Sequence, residues 1–166
     1  MRPDGFTLIE VVITLIIAGV LATIGAMIMS NAFRTYFLGR EIGNDDWQGR
    51  IALERMTREL RTARSASVTD LNIAVAGQIV FADSGGNVIV YRRNGATSAL
   101  ERSQDNGATF QELAGNIGAL TFSYLQNNGQ TTAVSASAVY FITAQVTVAS
   151  PNVTTVYRAT VKPTAF

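Results

Sequence analysis

The chain has 166 residues, enough for about one domain, and a formal net charge of +1. It contains no cysteine and no histidine. Their absence excludes disulfides, thiol chemistry, metal sites that need these ligands, and catalytic units of the Ser-His-Asp or Cys-His type. Because the charge is close to neutral, we expect no nucleic-acid partner.

A long apolar segment follows the first ten residues. The run from Val11 to Met29 carries no charge, and the next charged residue is Arg34. At about 1.5 Å per residue, a helix of this length crosses roughly 30 Å of hydrocarbon. A cleaved secretory signal has a shorter apolar core of about 7–15 residues and a basic start, whereas this start also contains Asp4 and Glu10. We therefore predict a membrane-spanning helix, and a permanent single-pass anchor is the main alternative to a processed one.

Glu10 distinguishes a permanent anchor from a processed one. A carboxylate in an apolar helix costs about 2.5–3.5 kcal/mol at the bilayer centre and less near the interface, so such an acid usually has a partner. Cleavage after Gly5 would create that partner, because it leaves an ammonium group on Phe6. Phe6 and Glu10 are four residues apart and therefore lie on one helix face.

The residues from Gly5 to Glu10, Gly-Phe-Thr-Leu-Ile-Glu, precede this apolar span. Together they resemble the prepilin cleavage and methylation motif of type IV pilins and of type II secretion pseudopilins. The resemblance implies that a membrane aspartic peptidase, the prepilin peptidase, cuts between Gly5 and Phe6 and methylates the Phe6 amine. It also implies that Glu10 pairs with the Phe6 ammonium of an adjacent subunit during assembly.

The chain after the span has the pattern of an amphipathic helix from about residue 45 to residue 64. Its apolar face is predicted to pack on the protein's own sheet. The residues that share this face are Ile42, Leu53, Met56, Leu60 and Ala63. Asp45 and Asp46 are typical of a first helical turn. Three glycines predict a bend or a short break near residues 39–45; they are Gly39, Gly43 and Gly49.

Trp47 and Ile51 lie on roughly the opposite side of this helix. One interpretation is that they cover an edge of the same core. The other is that they contact a neighbouring subunit in a filament. The sequence leaves both interpretations open.

The C-terminal part has the pattern of β-strands. From about Val68, apolar and polar residues alternate, and turn residues such as Ser84-Gly85-Gly86 separate the runs. The predicted strands are residues 78–83, 87–93, 99–103 as a short edge strand, 117–126, 138–149 and 153–162. Because no helix of crossover length separates these strands, the sheet is predicted to be mainly antiparallel.

The predicted fold class is α+β, with a long N-terminal helix packed on a mainly antiparallel β-sheet head, as in the pilin fold. We expect four segments: residues 1–5 as a prepilin leader, 6–30 as a transmembrane and filament-core helix, 31–66 as the amphipathic second half of the helix, and 67–166 as the β-sheet head domain. The segments ALERMTRELRTA, YRRNG and LTFSYLQ resemble the J pseudopilin of type II secretion and the W minor pilin.

Two further patterns do not support a catalytic or metal site. The tripeptides Asp83-Ser84-Gly85 and Asp105-Asn106-Gly107 resemble fragments of calcium loops. Calcium needs about six or more oxygen ligands, so we predict turns there. Glu101 and Glu112 could meet in space as a carboxylate pair, but nothing in the sequence singles them out. We therefore expect no enzyme activity, no metal and no cofactor.

The resemblance implies a structural subunit, a minor one, of a type IV pilus or related filament. A minor, J-like pseudopilin of type II secretion is the alternative with the same architecture. A membrane-anchored binding module that never polymerises is a third possibility. The implied partners are other pilin or pseudopilin subunits, the prepilin peptidase, and an inner-membrane assembly platform with its ATPase. The implied location is a single pass through the inner membrane with the head outside the cytoplasm, followed by a cell-surface or periplasmic filament.

Overall fold

The structure is a computed structural model that describes residues 7–75, 77–150 and 153–166. The predicted cleavage site, Gly5 and Phe6, lies outside the described residues. The chain divides into two compact units, Met1–Arg40 and Glu41–Phe166.

Helix α1 runs from Leu8 to Leu60. It continues through residues 39–45 without interruption, so a break there is wrong, and the alternative of a bend stays a prediction. Asp45 and Asp46 are accordingly inside the helix and not in its first turn. Within the second unit, the predicted apolar face is confirmed for Leu53, Met56 and Leu60, which are buried.

The second unit contains two antiparallel sheets. The first sheet has the order β1 (Leu71–Asn72), β2 (Gln78–Ala82), β3 (Val88–Asn94), β4 (Ala99–Ser103) and β5 (Gln111–Ala114). The second has the order β6 (Ile117–Leu125), β7 (Phe141–Ser150) and β8 (Val153–Val161). A short 3₁₀ helix, Ala136–Ala138, lies between β6 and β7. The α+β fold with a long apolar N-terminal helix is therefore confirmed.

The positions of most strands agree with the prediction, but one assignment is wrong. Strand β4 was predicted at the edge of the sheet, yet it pairs with β3 on one side and with β5 on the other. The sequence did not indicate β5, because its residues Gln-Glu-Leu-Ala include no β-branched or aromatic side chain. The edge strands of the first sheet are consequently β1 and β5, and those of the second sheet are β6 and β8.

The core lies between the second part of helix α1 and the two sheets. Met56 and Leu60 pack with inward side chains such as Phe81, Leu100 and Val146, all of them buried. Gly49 marks a close approach, because a Cβ atom there would overlap Cγ2 of Val148 on β7. Gly49 is therefore required by packing.

We expect the substitution Gly49→Ala to lower the free energy of unfolding by about 1–3 kcal/mol, because the added methyl group overpacks the contact with Val148. The matched control is Gly43→Ala. A Cβ at Gly43 meets no atom within 4 Å, so this change should raise stability by up to about 1 kcal/mol through helix propensity. Denaturant unfolding of the full chain in detergent, followed by the fluorescence of Trp47, measures both. Equal effects of the two substitutions would contradict the close approach.

Candidate functional site

The start of helix α1 has the geometry of a capped helix terminus. The backbone N–H of Glu10 donates to the carbonyl of Thr7 at 3.1 Å and also approaches the Thr7 hydroxyl at 3.4 Å. Thr7 thus satisfies an N–H group that has no partner inside the helix. The spacing Thr-x-x-Glu is that of a capping box. Glu10 is consequently fixed in the first turn of the helix.

The carboxylate of Glu10 is exposed and has no cation beside it in the described part of the chain. The next charged residue along the chain is Arg34. Glu10 is therefore a single acid at one end of an apolar surface. The structure does not describe Phe6, so it leaves the predicted pairing with the Phe6 ammonium as a prediction.

The helix surface beyond Glu10 is apolar and uncovered. Its large apolar side chains between Leu8 and Met29 are 43% to 83% exposed. The hydroxyls of Thr14 and Thr23 donate to helix carbonyls three or four residues earlier, at 2.9 Å in each case. These threonines therefore present methyl groups without an unsatisfied hydroxyl. Among the described residues, α1 is the one helix that is long and apolar enough to cross a membrane, with a mean hydropathy of 2.7 in its best window.

Trp47 and Ile51 lie on the outward side of the helix segment in the second unit. Trp47 is 63% exposed and Ile51 is 44% exposed. Neither belongs to the buried cluster that forms the core. Two apolar side chains are thus available on this surface of the helix.

A buried aspartate holds the helix to the sheets at one end of the head. Asp45 accepts a hydrogen bond from the amide of Asn116 at 2.9 Å and another from the hydroxyl of Ser150 at 2.8 Å. Asn116 connects β5 to β6 and has a φ of +53°, while Ser150 ends β7. Sequence reasoning missed this role, although Asp45 lies four residues before Gly49 and therefore on the buried face.

Glu59 holds the helix to the first sheet nearer the other end. Its carboxylate accepts from the Tyr91 hydroxyl and from the Arg102 guanidinium, both at 2.8 Å, and from Arg55 at 3.2 Å. Burial and the adjacent Glu59 carboxylate raise the pKa of Tyr91. Arg55 and Glu59 are four residues apart in the helix, whereas the contacts with β3 and β4 join residues that are distant in the chain. A partly buried charge with several donors fixes the helix relative to the sheet.

An ion pair closes the loop that follows the helix. The Arg64 guanidinium donates to both carboxylate oxygens of Asp70, and Ser65 donates to the same carboxylate at 2.6 Å. These hydrogen bonds, that of Arg64 first, lower the pKa of Asp70 from its ordinary value of 3.8 to about 2. Asp70 is therefore ionised at all physiological pH values.

The two calcium-like fragments form self-contained turns. The carboxylate of Asp105 accepts from Ser103 and Thr109 in its own loop. The carboxylate of Asp83 accepts from Asn87 in the β2–β3 turn. Among the residues that the structure describes, no group of three or more acidic side chains could hold a metal ion.

The N-terminal segment matches a known family model. The model, described as the prokaryotic N-terminal methylation motif, matches residues 1–26. This chain carries the type IV pilin and pseudopilin signature. No curated protein and no solved structure matches the chain.

The pilin signature accounts for the geometry at the start of the helix. It supports a type IV pilin-like or pseudopilin subunit, a class of structural proteins and not of enzymes. It also implies association with other pilin subunits and with a prepilin peptidase. The signature and the exposed apolar helix are both compatible with a membrane-anchored precursor and with a filament.

Two buried tyrosines give a matched test of the hydrogen bonding inside the head. We expect Tyr91→Phe to lower the free energy of unfolding by about 1–2 kcal/mol, because the charged Glu59 acceptor loses a donor. Tyr124 is also buried, but its hydroxyl has no hydrogen-bond partner in the described structure. Tyr124→Phe should therefore be neutral or slightly stabilising. Denaturant unfolding compares the two, and a larger loss for Tyr124→Phe would contradict the assignment.

The Arg64–Asp70 pair predicts a dependence of stability on pH. A carboxyl group whose pKa is lowered on folding stabilises the folded state above its unfolded pKa, and it loses this effect as the pH falls through the folded pKa. We expect Asp70→Asn to be less stable than the unmodified chain at pH 6, and the difference to shrink between about pH 4 and pH 2. Thermal unfolding at several pH values measures the difference. A difference that stays constant over this range would contradict the prediction.

Proposed function

We propose that the chain is a structural subunit, a minor one, of a type IV pilus or related filament, and that it assembles through its N-terminal helix. The observation that supports this most directly is the single exposed acid, Glu10, at the start of an uncovered apolar helix that carries the methylation signature. Lipid covers such a surface before assembly, and other subunits cover it afterwards.

Processing supplies the partner of Glu10 in this proposal. The prepilin peptidase cuts between Gly5 and Phe6 and methylates the new amine on Phe6. Phe6 and Glu10 are four residues apart in the sequence, so cleavage creates the ammonium close to the carboxylate along the chain. Between neighbouring subunits, the ammonium of Phe6 neutralises Glu10 of the next helix. A paired acid removes the cost of holding a lone carboxylate among apolar helices.

The second half of the helix contributes a further contact. Trp47 and Ile51 are exposed and belong to no core cluster, which favours the interpretation that they contact a neighbouring subunit. Tryptophan is among the residues that contribute most to protein interfaces.

The precursor in this proposal spans the inner membrane once with its head outside the cytoplasm, and an assembly platform with its ATPase extracts it.

A J-like pseudopilin of type II secretion has the same architecture, and the signature is shared by both groups. In that case the filament stays in the periplasm. Gene neighbours separate the two: secretin and exoprotein genes favour secretion, and retraction ATPase genes favour a pilus.

The central experiment replaces Glu10 by valine. We expect Glu10→Val to reduce the incorporation of the chain into sheared filaments at least about tenfold while the protein stays in the membrane, because the pairing with Phe6 is lost. Quantitative immunoblots of filament and membrane fractions measure both amounts. Thr14→Val is the matched control, because it also removes a polar group from the span and breaks only a bond within the helix.

Mass spectrometry of the assembled protein tests processing independently. The filament-associated chain should begin at Phe6 and carry one added methyl group. Assembled protein that still begins at Met1, or normal incorporation of Glu10→Val, would overturn the proposal. Normal function of Glu10→Val without any filament would favour the membrane-anchored binding module.

A further inference from the structure

The second sheet ends in a long strand with an open edge. Strand β8 pairs with β7 along Val153–Val161, and its other edge has no partner strand in the part of the chain that the structure describes. Five of the first eight residues are β-branched, and Arg158 is the one charged residue in the strand. Proline, lysine or a bulge, which commonly protect such an edge, do not occur in β8. The edge is therefore suited to pairing with another strand.

The first sheet ends in β5, which carries an acid in an unfavourable place. Glu112 lies directly opposite Glu101 of β4, and like charges in this position repel each other. Glu101 is neutralised by Arg92 at 2.9 Å. Glu112 is exposed and has no cation within 4.0 Å among the described residues. The edge of β5 therefore has an unpaired negative charge.

Arg158 on β8 is the complementary group. Its guanidinium donates to the amide oxygen of Gln145 at 2.7 Å, and no carboxylate accepts from it within the described residues. Two of the four edge strands of one head thus carry opposite unpaired charges, Arg158 on β8 and Glu112 on β5.

The directions of the two strands are also complementary. Strand β8 begins just after Ser150, which binds Asp45. After β8 ends, the chain returns to Arg61, and Thr164 donates a hydrogen bond to the Arg61 carbonyl. Strand β5 runs the opposite way, because it begins opposite Arg102, which binds Glu59. It ends before Gly115, which donates to the Gln48 side chain at 3.4 Å. When two heads point the same way, β8 of one and β5 of the next are therefore antiparallel.

We propose that the β8 edge of one copy pairs with the β5 edge of a second copy, as an antiparallel head-to-head contact inside the filament. The proposal rests on the proposed function, since filament assembly gives neighbouring heads the same direction. Backbone N–H and C=O groups of a second extended strand satisfy those of the open edge. Because different surfaces meet, the contact is heterologous and can repeat along a helical filament. It needs only two adjacent copies, so a minor subunit that occupies consecutive positions can form it.

The charges and the faces of the strands define one register. Arg158 lies opposite Glu112 of the neighbour on the outer face. Leu113 of the neighbour, which lies at the irregularity in the β4–β5 pairing, is then next to Tyr157 on the inner face. Both are partly buried side chains that pack against their own cores. Arg158 thus brings a cation to the Glu101–Glu112 pair of the neighbour. An antiparallel pairing of β8 with β8 would require the two heads to point in opposite directions.

Cysteine cross-linking tests this register directly, because the chain contains no cysteine. Directly opposite residues have Cβ atoms about 4.5–5.5 Å apart, a distance that a disulfide can span after a small adjustment. We expect filaments of the double variant Glu112→Cys, Arg158→Cys to give disulfide-linked dimers and higher multimers under oxidation. Each single variant should remain monomeric. A double variant that enters filaments and stays monomeric would overturn the proposal.

Charge reversal tests the ion pair separately. Arg158→Glu and Glu112→Arg should each reduce incorporation about two- to fivefold, and the combination of both should restore it. Arg58→Glu, on an exposed position of the helix, is the control and should have no such effect. Equal losses in the single variants and in the combination would contradict the pairing. Dimers from Arg158→Cys alone would show that β8 pairs with itself and would also overturn it.

The outcome is separable from that of the proposed function. If Glu10→Val blocks incorporation but the cysteine pair does not cross-link, the filament assignment stands and the edge contact is wrong. If Glu10→Val is incorporated normally and the cysteine pair cross-links in membranes, the edge contact stands without the proposed assembly mechanism.

Discussion

Between Leu8 and Met29, helix α1 presents apolar side chains in every direction, and each of them has to be covered by lipid or by protein. Lipid and neighbouring helices are equally apolar, so burial of the apolar side chains alone does not fix how one helix is aligned along its neighbour. A polar group is needed to define this alignment, and Glu10 is the only charged side chain between Leu8 and Arg34. The capped first turn holds this acid at the end of the span, where an amino terminus created by cleavage would be adjacent.

The head depends on a different kind of interaction. Its helix segment is held by two acids on its inner side. The buried Asp45 binds Asn116, between β5 and β6, and Ser150, at the end of β7, and the partly buried Glu59 binds two strands of the first sheet. Between them, Gly49 lets the helix approach β7 closely. Hydrogen-bonded charges add direction to an apolar contact that would otherwise tolerate sliding. These contacts therefore define the position of the helix segment on the sheets.

Local sequence patterns predicted most elements of this fold. They did not predict that the strands divide into two sheets. Periodicity identified the buried face of the helix and the β2–β3 hairpin, because these depend on neighbours in sequence. The division into two sheets depends on Asn116, whose φ of +53° separates β5 from β6, and its amide binds Asp45, 71 positions away. The motif around Glu10 was recognisable because it is a local sequence pattern. The roles of Asp45 and Glu59 were not, because their partners are distant in the chain.

The division of the strands into two sheets also explains why the edges of the sheets matter for assembly. A sheet that closes on itself leaves no backbone group unpaired, whereas two open sheets in one head have four edge strands, β1, β5, β6 and β8, of which β5 and β8 carry the opposite charges. Natural edge strands usually carry charges that repel a second strand. Here the charge on the β5 edge is Glu112, which already lies opposite Glu101. The charge on the β8 edge is Arg158, which donates to the amide oxygen of Gln145. Opposite unpaired charges on antiparallel edges favour a specific neighbour, so these edges attract a second head.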